Sequence, residues 1–298
     1  MYTAQNPRIE PYWICKKRKG VELSEKTRSK NQKTHRKQDL KRTDTHGTAI
    51  ENAILLKIPQ AEYDVIRPHL EFVKVGSQQS LHRPGQRLEY GYFPNQGMVS
   101  IVIEISDGRT LEVGVVTRRG FAGESLAFGQ TTSPYRMICQ PPGDGFRVKA
   151  EVLRDILRVS PDLQSRLSRY VRFQFLRVSQ IAACNRFHEV EQRLARWLLM
   201  SQDRIGSEVL PFTHEFLASM LGTGRAIVSI AASVLQKAGL IQYRRGTVKI
   251  LDRASLEDAA CECYRVIKQF EAEIEWNAES GRDHDNNRVM AVSPRPHL

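Results

Sequence analysis

Arg225 opens a run, AIVSIAASVLQK after it, in which small apolar and hydroxyl side chains recur at helical spacing. A guanidinium is a planar fork of donors. It can make two parallel hydrogen bonds to a matching acceptor pair such as a guanine edge or a phosphate. Ala226, Ser229, Ile230 and Ser233 follow on the same side of that run. Ser229 could join Arg225 in reading base edges, and Ala226 or Ile230 could touch a thymine methyl. Arg244, Arg245 and Lys249 form a second basic group, suited to phosphate contact. Thr213, Thr223 and Thr247 add hydroxyls within the same stretch and join Arg244 and Arg245 as expected phosphate contacts. Other chemistry is thinly supported. Cys184 and His188 stand four apart, a spacing that could share a metal, but no third ligand is evident. Cys261-x-Cys263 has the wrong spacing for a zinc knuckle or a redox pair and reads as a helix's ordinary thiols. No metal site is therefore expected. The chain has no GxSxG, no GxxxxGK, no HExxH and no paired carboxylates on one predicted face, so it is not expected to be an enzyme.

The basic residues need a scaffold, and the sequence around them supplies one. Thr213 can cap a helix by accepting a first-turn amide, and Glu215 suits the positive end of the dipole. Phe216, Leu217, Met220 and Leu221 then give one apolar face. Gly222 stands where a helix often ends in a left-handed residue. A second helix is expected over about 224–237, packed through Val228, Ala231, Ala232 and Leu235, with Gly239 closing it. Ile241 and Tyr243, then Val248 and Ile250, alternate with polar residues about an Arg245-Gly246 turn. That turn pairs 244 with 247, 243 with 248 and 241 with 250, in register with the alternation. Helix, Gly turn, helix and basic hairpin make a winged helix-turn-helix, which lays its second helix in the major groove of double-stranded DNA. The alternative is a ligand-binding or scaffold protein whose helix-turn-helix serves protein contact; the apolar Ala226, Ile227 and Ile230 suit it.

The chain has 298 residues and a formal charge of +12. Residues 1–48 hold thirteen Lys and Arg against five acidic residues, so most of the basicity lies outside the DNA-binding candidate. This segment is read as a disordered basic arm. Five scattered cysteines imply no disulfide framework and fit a cytoplasmic address. No apolar run reaches membrane length, so no membrane partner is expected. Short helices are expected over 51–70. A β-rich block runs to about Lys149; in it Val99, Ile101, Ile103 and Ile105 alternate, then Leu111, Val113 and Val115, as a hairpin with one buried face. Short strands with Gly and Pro turns suggest a jelly roll. A long helix follows from Pro161. Leu163, Leu167, Val171, Gln174, Val178 and Ile181 lie on it in steps of four and three, a stripe that could meet its copy in a homodimer. The next helix is expected over 185–201, with Arg186, Arg193 and Arg196 on its solvated side. A single C-terminal helix is expected from a capping box at Ser255 and Asp258, and a disordered tail from 277.

The motifs ACNRFHEVEQRLARWLLMSQDRIG, LPFTHEFLASMLG and AGLIQYRRGTVKILDRASLE together resemble the C-terminal half of the Crp/Fnr family of bacterial transcription regulators. The resemblance extends upstream to about Ala49. It implies an α+β protein: a sensory cyclic-nucleotide-binding-like β-roll over 49–160, a dimerisation helix over 161–184, a winged helix-turn-helix domain over 185–252 and a C-terminal helix over 253–276. It further implies a homodimer on a pseudo-palindromic operator, with RNA polymerase as a partner. In the family, Gly-Glu at a short helix start and a later Arg followed by Ser or Thr and Ala hold a cyclic nucleotide. Here Gly123, Glu124 and Ser125 match the first part, while Arg136 lacks the residues that should follow it and comes about two positions late. The resemblance thus implies a roll with a different small ligand, or none, and keeps cyclic AMP or GMP as the alternative. An iron–sulfur cluster of the family's oxygen-sensing kind is not expected, since only Cys15 precedes Cys139.

Overall fold

A computed structural model describes residues 41–279 of the chain. Two short helices come first, α1 (Ala53–Lys57) and α2 (Gln60–Ile66), then a 3-10 turn (Arg67–His69). Seven strands follow: β1 (Glu71–Val75), β2 (Ser80–His82), β3 (Tyr90–Pro94), β4 (Val99–Glu104), β5 (Thr110–Val116), β6 (Arg136–Cys139) and β7 (Gly143–Lys149). They form two antiparallel sheets in the orders β1-β7-β3 and β2-β6-β4-β5. Leu88, Phe93, Met98, Met137, Phe146 and Val148 are among the buried side chains of this roll. A 3-10 segment (Glu124–Phe128) interrupts it. Then come α3 (Ala150–Val159), α4 (Pro161–Phe187), α5 (Val190–Ile205), β8 (Val209–Leu210), α6 (His214–Leu221), α7 (Arg225–Lys237), β9 (Ile241–Arg244), β10 (Thr247–Ile250), α8 (Arg253–Ala259) and α9 (Cys263–Glu279). Strand β8 joins β10 and β9 in a third, small sheet. Among the described residues, no single helix is long and apolar enough to cross a membrane.

Several elements differ from what the sequence suggests. Residues 41–48, assigned to the arm, belong to the fold. Arg42 is buried; its guanidinium donates to the carbonyls of Leu55 and Ile58 and lies over the Tyr63 ring. Residues 1–40 and 280–298, which carry the rest of the arm and the tail beyond α9, lie outside the described residues. The β4–β5 hairpin pairs as expected near its closed end, but its register shifts between Ile101 and Val102. Past that bulge the alternation no longer holds one face inward, and Ile103 and Ile105 are exposed. The long helix α4 runs 27 residues, to Phe187, before Glu189 starts α5 with a capping box to Gln192. Arg193 and Arg196 are buried rather than solvated. The guanidinium of Arg193 donates to the carbonyl of Leu221, satisfying a free group at the end of α6. The C-terminal helix is two helices. Asp252, not Ser255, caps the first by accepting the Ser255 amide at 3.0 Å, and the chain breaks over 260–262 before α9.

Candidate nucleic-acid interface

The two helices of the predicted motif meet at 106°, within the range of helix-turn-helix units. Thr213 caps α6, its hydroxyl accepting the Phe216 amide at 3.1 Å. Gly222 ends α6 in the left-handed region at φ 61°. A Cβ there would also come within 2.8 Å of the Leu111 side chain on β5, so the turn sits directly against the roll's hairpin. Helix α7 buries Val228, Ala231, Ala232 and Leu235 and leaves Arg225, Ala226, Ile230 and Ser233 exposed. Ile227 and Val234 are exposed beside them, so the outer face of α7 is mostly apolar, with Ile230 63% exposed. The Arg225 guanidinium stands 3.9 Å from the Glu215 carboxylate, both open to solvent.

The wing has the expected register, with Arg244 opposite Thr247 and Tyr243 opposite Val248. Arg245 and Gly246 both have positive φ, 47° and 79°, which the two-residue hairpin turn requires. An arginine in that conformation costs roughly 1–2 kcal/mol that glycine would not, yet the position places a cation at the wing's tip. Arg244, Arg245 and Lys249 are exposed. The Thr247 hydroxyl donates to the Arg244 carbonyl at 2.7 Å and closes the turn, and Thr223 is half-buried between the helices.

Ser229 has an internal role that the sequence does not reveal. Its hydroxyl donates to the Arg225 carbonyl at 3.0 Å and meets His214 Nδ1 at 2.9 Å. His214 in turn stacks on the Tyr243 ring at 3.8 Å, and the Tyr243 amide donates to Gln236 Oε1 at 2.8 Å. Helix α6, helix α7 and the wing are thus locked through one imidazole. Burial, with the Arg225 charge adding to it, lowers the His214 pKa. Sequence reasoning missed His214 because its partners lie 15 and 29 positions away in the chain.

The roll reaches this unit through a buried carboxylate. Glu112 on β5 accepts from Ser100 Oγ at 2.7 Å and from the indole of Trp197 on α5 at 3.0 Å. Trp197 packs against Phe212 and Phe216 at the base of α6, with ring centroids 4.9 and 5.8 Å away. In the expected ligand segment, Gly123 precedes the 3-10 segment at φ 119°, and both carboxylate oxygens of Glu124 are buried without a hydrogen-bond partner. Burial raises the Glu124 pKa. Arg136 lies at the start of β6, half-buried like Ser125, and its guanidinium is 3.7 Å from Glu104.

The expected dimer stripe is divided by the fold. Leu163, Leu167 and Gln174 are buried within the protomer, while Val171 and Ile181 are half-buried and Val178 is exposed. The stripe one position over, Val171, Phe175, Val178 and Ala182, keeps the four-three spacing and faces outward, with Phe175 70% exposed. Cys184 and His188, left without further ligands by the sequence, have Cys261 and Cys263 beside them.

The family model for a Crp-like helix-turn-helix domain matches residues 192–259. The transcriptional regulator SdrP of Thermus thermophilus is 25% identical over 183 residues, covering 59% of this chain and 86% of SdrP. The cAMP-activated global transcriptional regulator CRP of Pasteurella multocida is 22% identical, covering 61% of this chain and 90% of its own. The c-di-GMP responsive global regulator CLP of Xanthomonas campestris superposes with a TM-score of 0.57 at 20% identity, covering 65% of this chain and 100% of its own. A CRP-family transcriptional regulator of Thermus thermophilus gives 0.54 at 22% identity, covering 63% and 96%. The likeness to these two structures is one of fold.

Proposed function

The chain belongs to the Crp/Fnr family of DNA-binding transcription regulators, and from that premise we propose how it reads DNA and receives its signal. Two copies bind a pseudo-palindromic operator, each laying α7 in the major groove. Arg225 reads a base edge, Ala226 and Ile230 lie against thymine methyls, and Ser233 follows along the groove. Thr213, Thr223, Arg244 and Arg245 hold phosphates, Thr247 closes the wing's turn beside them, and Ser229 supports Arg225 from behind. The outward stripe of α4 at Val171, Phe175, Val178 and Ala182 joins the copies, with Ile181 beside it. The observation that carries this reading is an exposed Arg225 at the N-terminus of a helix crossing its neighbour at 106°, next to a basic wing. The use of this unit for protein contact is not favoured.

The signal enters at the roll and reaches α7 through α4 and the β4–β5 hairpin. Two relatives respond, by their names, to cyclic AMP and c-di-GMP. Here Arg136 comes about two positions late and lacks the residues that should follow it, which supports a ligand other than a cyclic mononucleotide. The four free thiols among the described residues support a reducing, cytoplasmic compartment. RNA polymerase is the partner through which a bound dimer would act. The test is selection of the purified protein against random duplex DNA, with and without cyclic AMP. An enriched pseudo-palindrome with half-sites about one helical turn apart is expected. Arg225→Ala should weaken the selected site by about 1–3 kcal/mol and relax one position. Enrichment that is unchanged by Arg225→Ala would overturn the base-reading role, and enrichment only with cyclic AMP would overturn the ligand reading.

A further inference from the structure

Away from the DNA-facing surface, four ligating side chains converge from two distant parts of the chain. Cys184 lies in the last turn of α4 and His188 is its C-cap; Cys261 lies in the α8–α9 break and Cys263 begins α9. One ligand atom from each falls within 4.8 Å of all the others. Cys184 Sγ is 3.5 Å from Cys261 Sγ, and Cys263 Sγ is 3.6 Å from His188 Nδ1. A tetrahedron with zinc–sulfur bonds of about 2.3 Å and zinc–nitrogen bonds of about 2.0 Å has edges of roughly 3.5–3.8 Å. The Cys184–Cys261 and Cys263–His188 separations match such edges, as a single ion at the centre would require. The three sulfurs are buried.

The surroundings are also those of a metal site. With Nδ1 turned inward, the other ring nitrogen of His188 lies 3.0 Å from the Glu262 carboxylate, the outer partner that fixes the ring of a metal-bound histidine. Gln180 Nε2 donates to Cys263 Sγ at 3.1 Å, a contact that favours a thiolate. A divalent cation at the centre would hold all three cysteines as thiolates.

We propose that Cys184, His188, Cys261 and Cys263 form a closed, structural zinc site that staples the end of α4 to the α8–α9 junction. Three sulfurs and one imidazole select a soft or borderline ion, and four protein ligands leave no open position for substrate. The ligands bracket the DNA-binding unit: one pair precedes it and the other follows it. The ion therefore closes the chain between His188 and Cys261 into a loop and fixes that unit against α4, along which α9 packs.

The test uses the full-length chain, purified under reducing conditions, desalted and assayed for zinc and for reactive thiols. One zinc per chain is expected, with Cys184, Cys261 and Cys263 protected. Cys263→Ser and His188→Ala should lose the ion, while Cys139→Ser, at a buried thiol elsewhere, should keep it. Glu262→Ala should weaken binding about 10- to 100-fold. Cobalt loaded into the unaltered protein should show the intense d–d absorption of a tetrahedral thiolate site, a readout that does not depend on any variant folding. A chain that takes up neither zinc nor cobalt while its thiols react freely would overturn the proposal. So would a Cys184–Cys261 disulfide in the purified chain whose reduced form takes up no metal.

Discussion

Glu112 offers the sharpest test of how the roll is joined to the helix-turn-helix. Its carboxylate is buried on β5 and receives two donors, one from Ser100 in the roll and one from Trp197 on α5. Burial raises its pKa, opposed by the bond from Ser100, the charges of Arg204 and Arg177 and the bond from Trp197. Two substitutions separate charge from hydrogen bonding. Glu112→Ala strands the Trp197 indole N–H and the Ser100 hydroxyl in a dry site, about 1–3 kcal/mol for each unsatisfied group. The lost packing adds to this, so destabilisation of roughly 2–5 kcal/mol is expected. Glu112→Gln keeps an acceptor for the indole and removes the buried charge, and should match or exceed the parent near neutral pH. The folded pKa is raised above the unfolded value of about 4.3, so the folded state binds more protons in the window above that value. The parent therefore loses stability as pH rises from there through the folded pKa, and the Gln variant lacks that loss. Urea unfolding followed by tryptophan fluorescence and circular dichroism, at mildly acidic and mildly alkaline pH, measures both effects. An Ala variant within about 0.5 kcal/mol of the parent, or a Gln variant as unstable as the Ala one, refutes the bridge.

Phe175→Glu should leave the protomer folded, since the ring is exposed, but an isologous interface would lose it twice, about 3–6 kcal/mol of apolar burial. Sedimentation equilibrium should then show monomers where the parent is a dimer, and an unchanged mass would discard the α4 stripe. His82 is buried, and burial lowers its pKa to about 4. The unfolded chain, with a histidine pKa near 6.5, binds the proton first, so this stability is fully present above about 6.5 and is lost as pH falls toward 4, up to about 3 kcal/mol. Thermal melts across that range should show the loss in the parent and a flatter profile in His82→Gln.

The recognition unit was legible because its signals are local. Thr213 caps the helix it precedes, Gly222 and Gly246 stand where positive φ is needed, and Tyr243 and Val248 are paired by a turn two residues long. Features decided by distant partners were not legible. Arg193 reads as a surface residue until Leu221, 28 positions later, brings it a carbonyl. On α4 the stripes 167–171–174 and 171–175–178 have the same four-three spacing, and only packing against the roll says which one turns inward. The hairpin bulge at Ile101 and Val102 adds one residue to one strand, which alternation in a single sequence cannot register. The Cys184–His188 pair and the Cys261–Cys263 pair each look incomplete, because half of the cluster lies at the far end of the domain.

These long-range contacts also bound what a signal can do. Two of the contacts between the roll and the recognition unit lie side by side on β5: Glu112 holds Trp197, and Leu111 lies against the Gly222 turn. A hydrogen bond to a charged acceptor contributes about 1.5–3 kcal/mol. A ligand shifts a conformational equilibrium only by its differential affinity for the two states. A signal that acts by making or releasing the Glu112 bridge would therefore change DNA affinity by an amount of that order, roughly 10- to 150-fold. A larger response requires α4 itself to move. Because α4 would join both protomers, its movement would displace two recognition helices together, whereas the hairpin acts on one. The zinc staple bears on the same distinction. By tying the end of α4 to the far side of the DNA-binding unit, it would make the helix and the unit move as one body, so that a shift of α4 reaches α7 rather than being absorbed at residues 188–189.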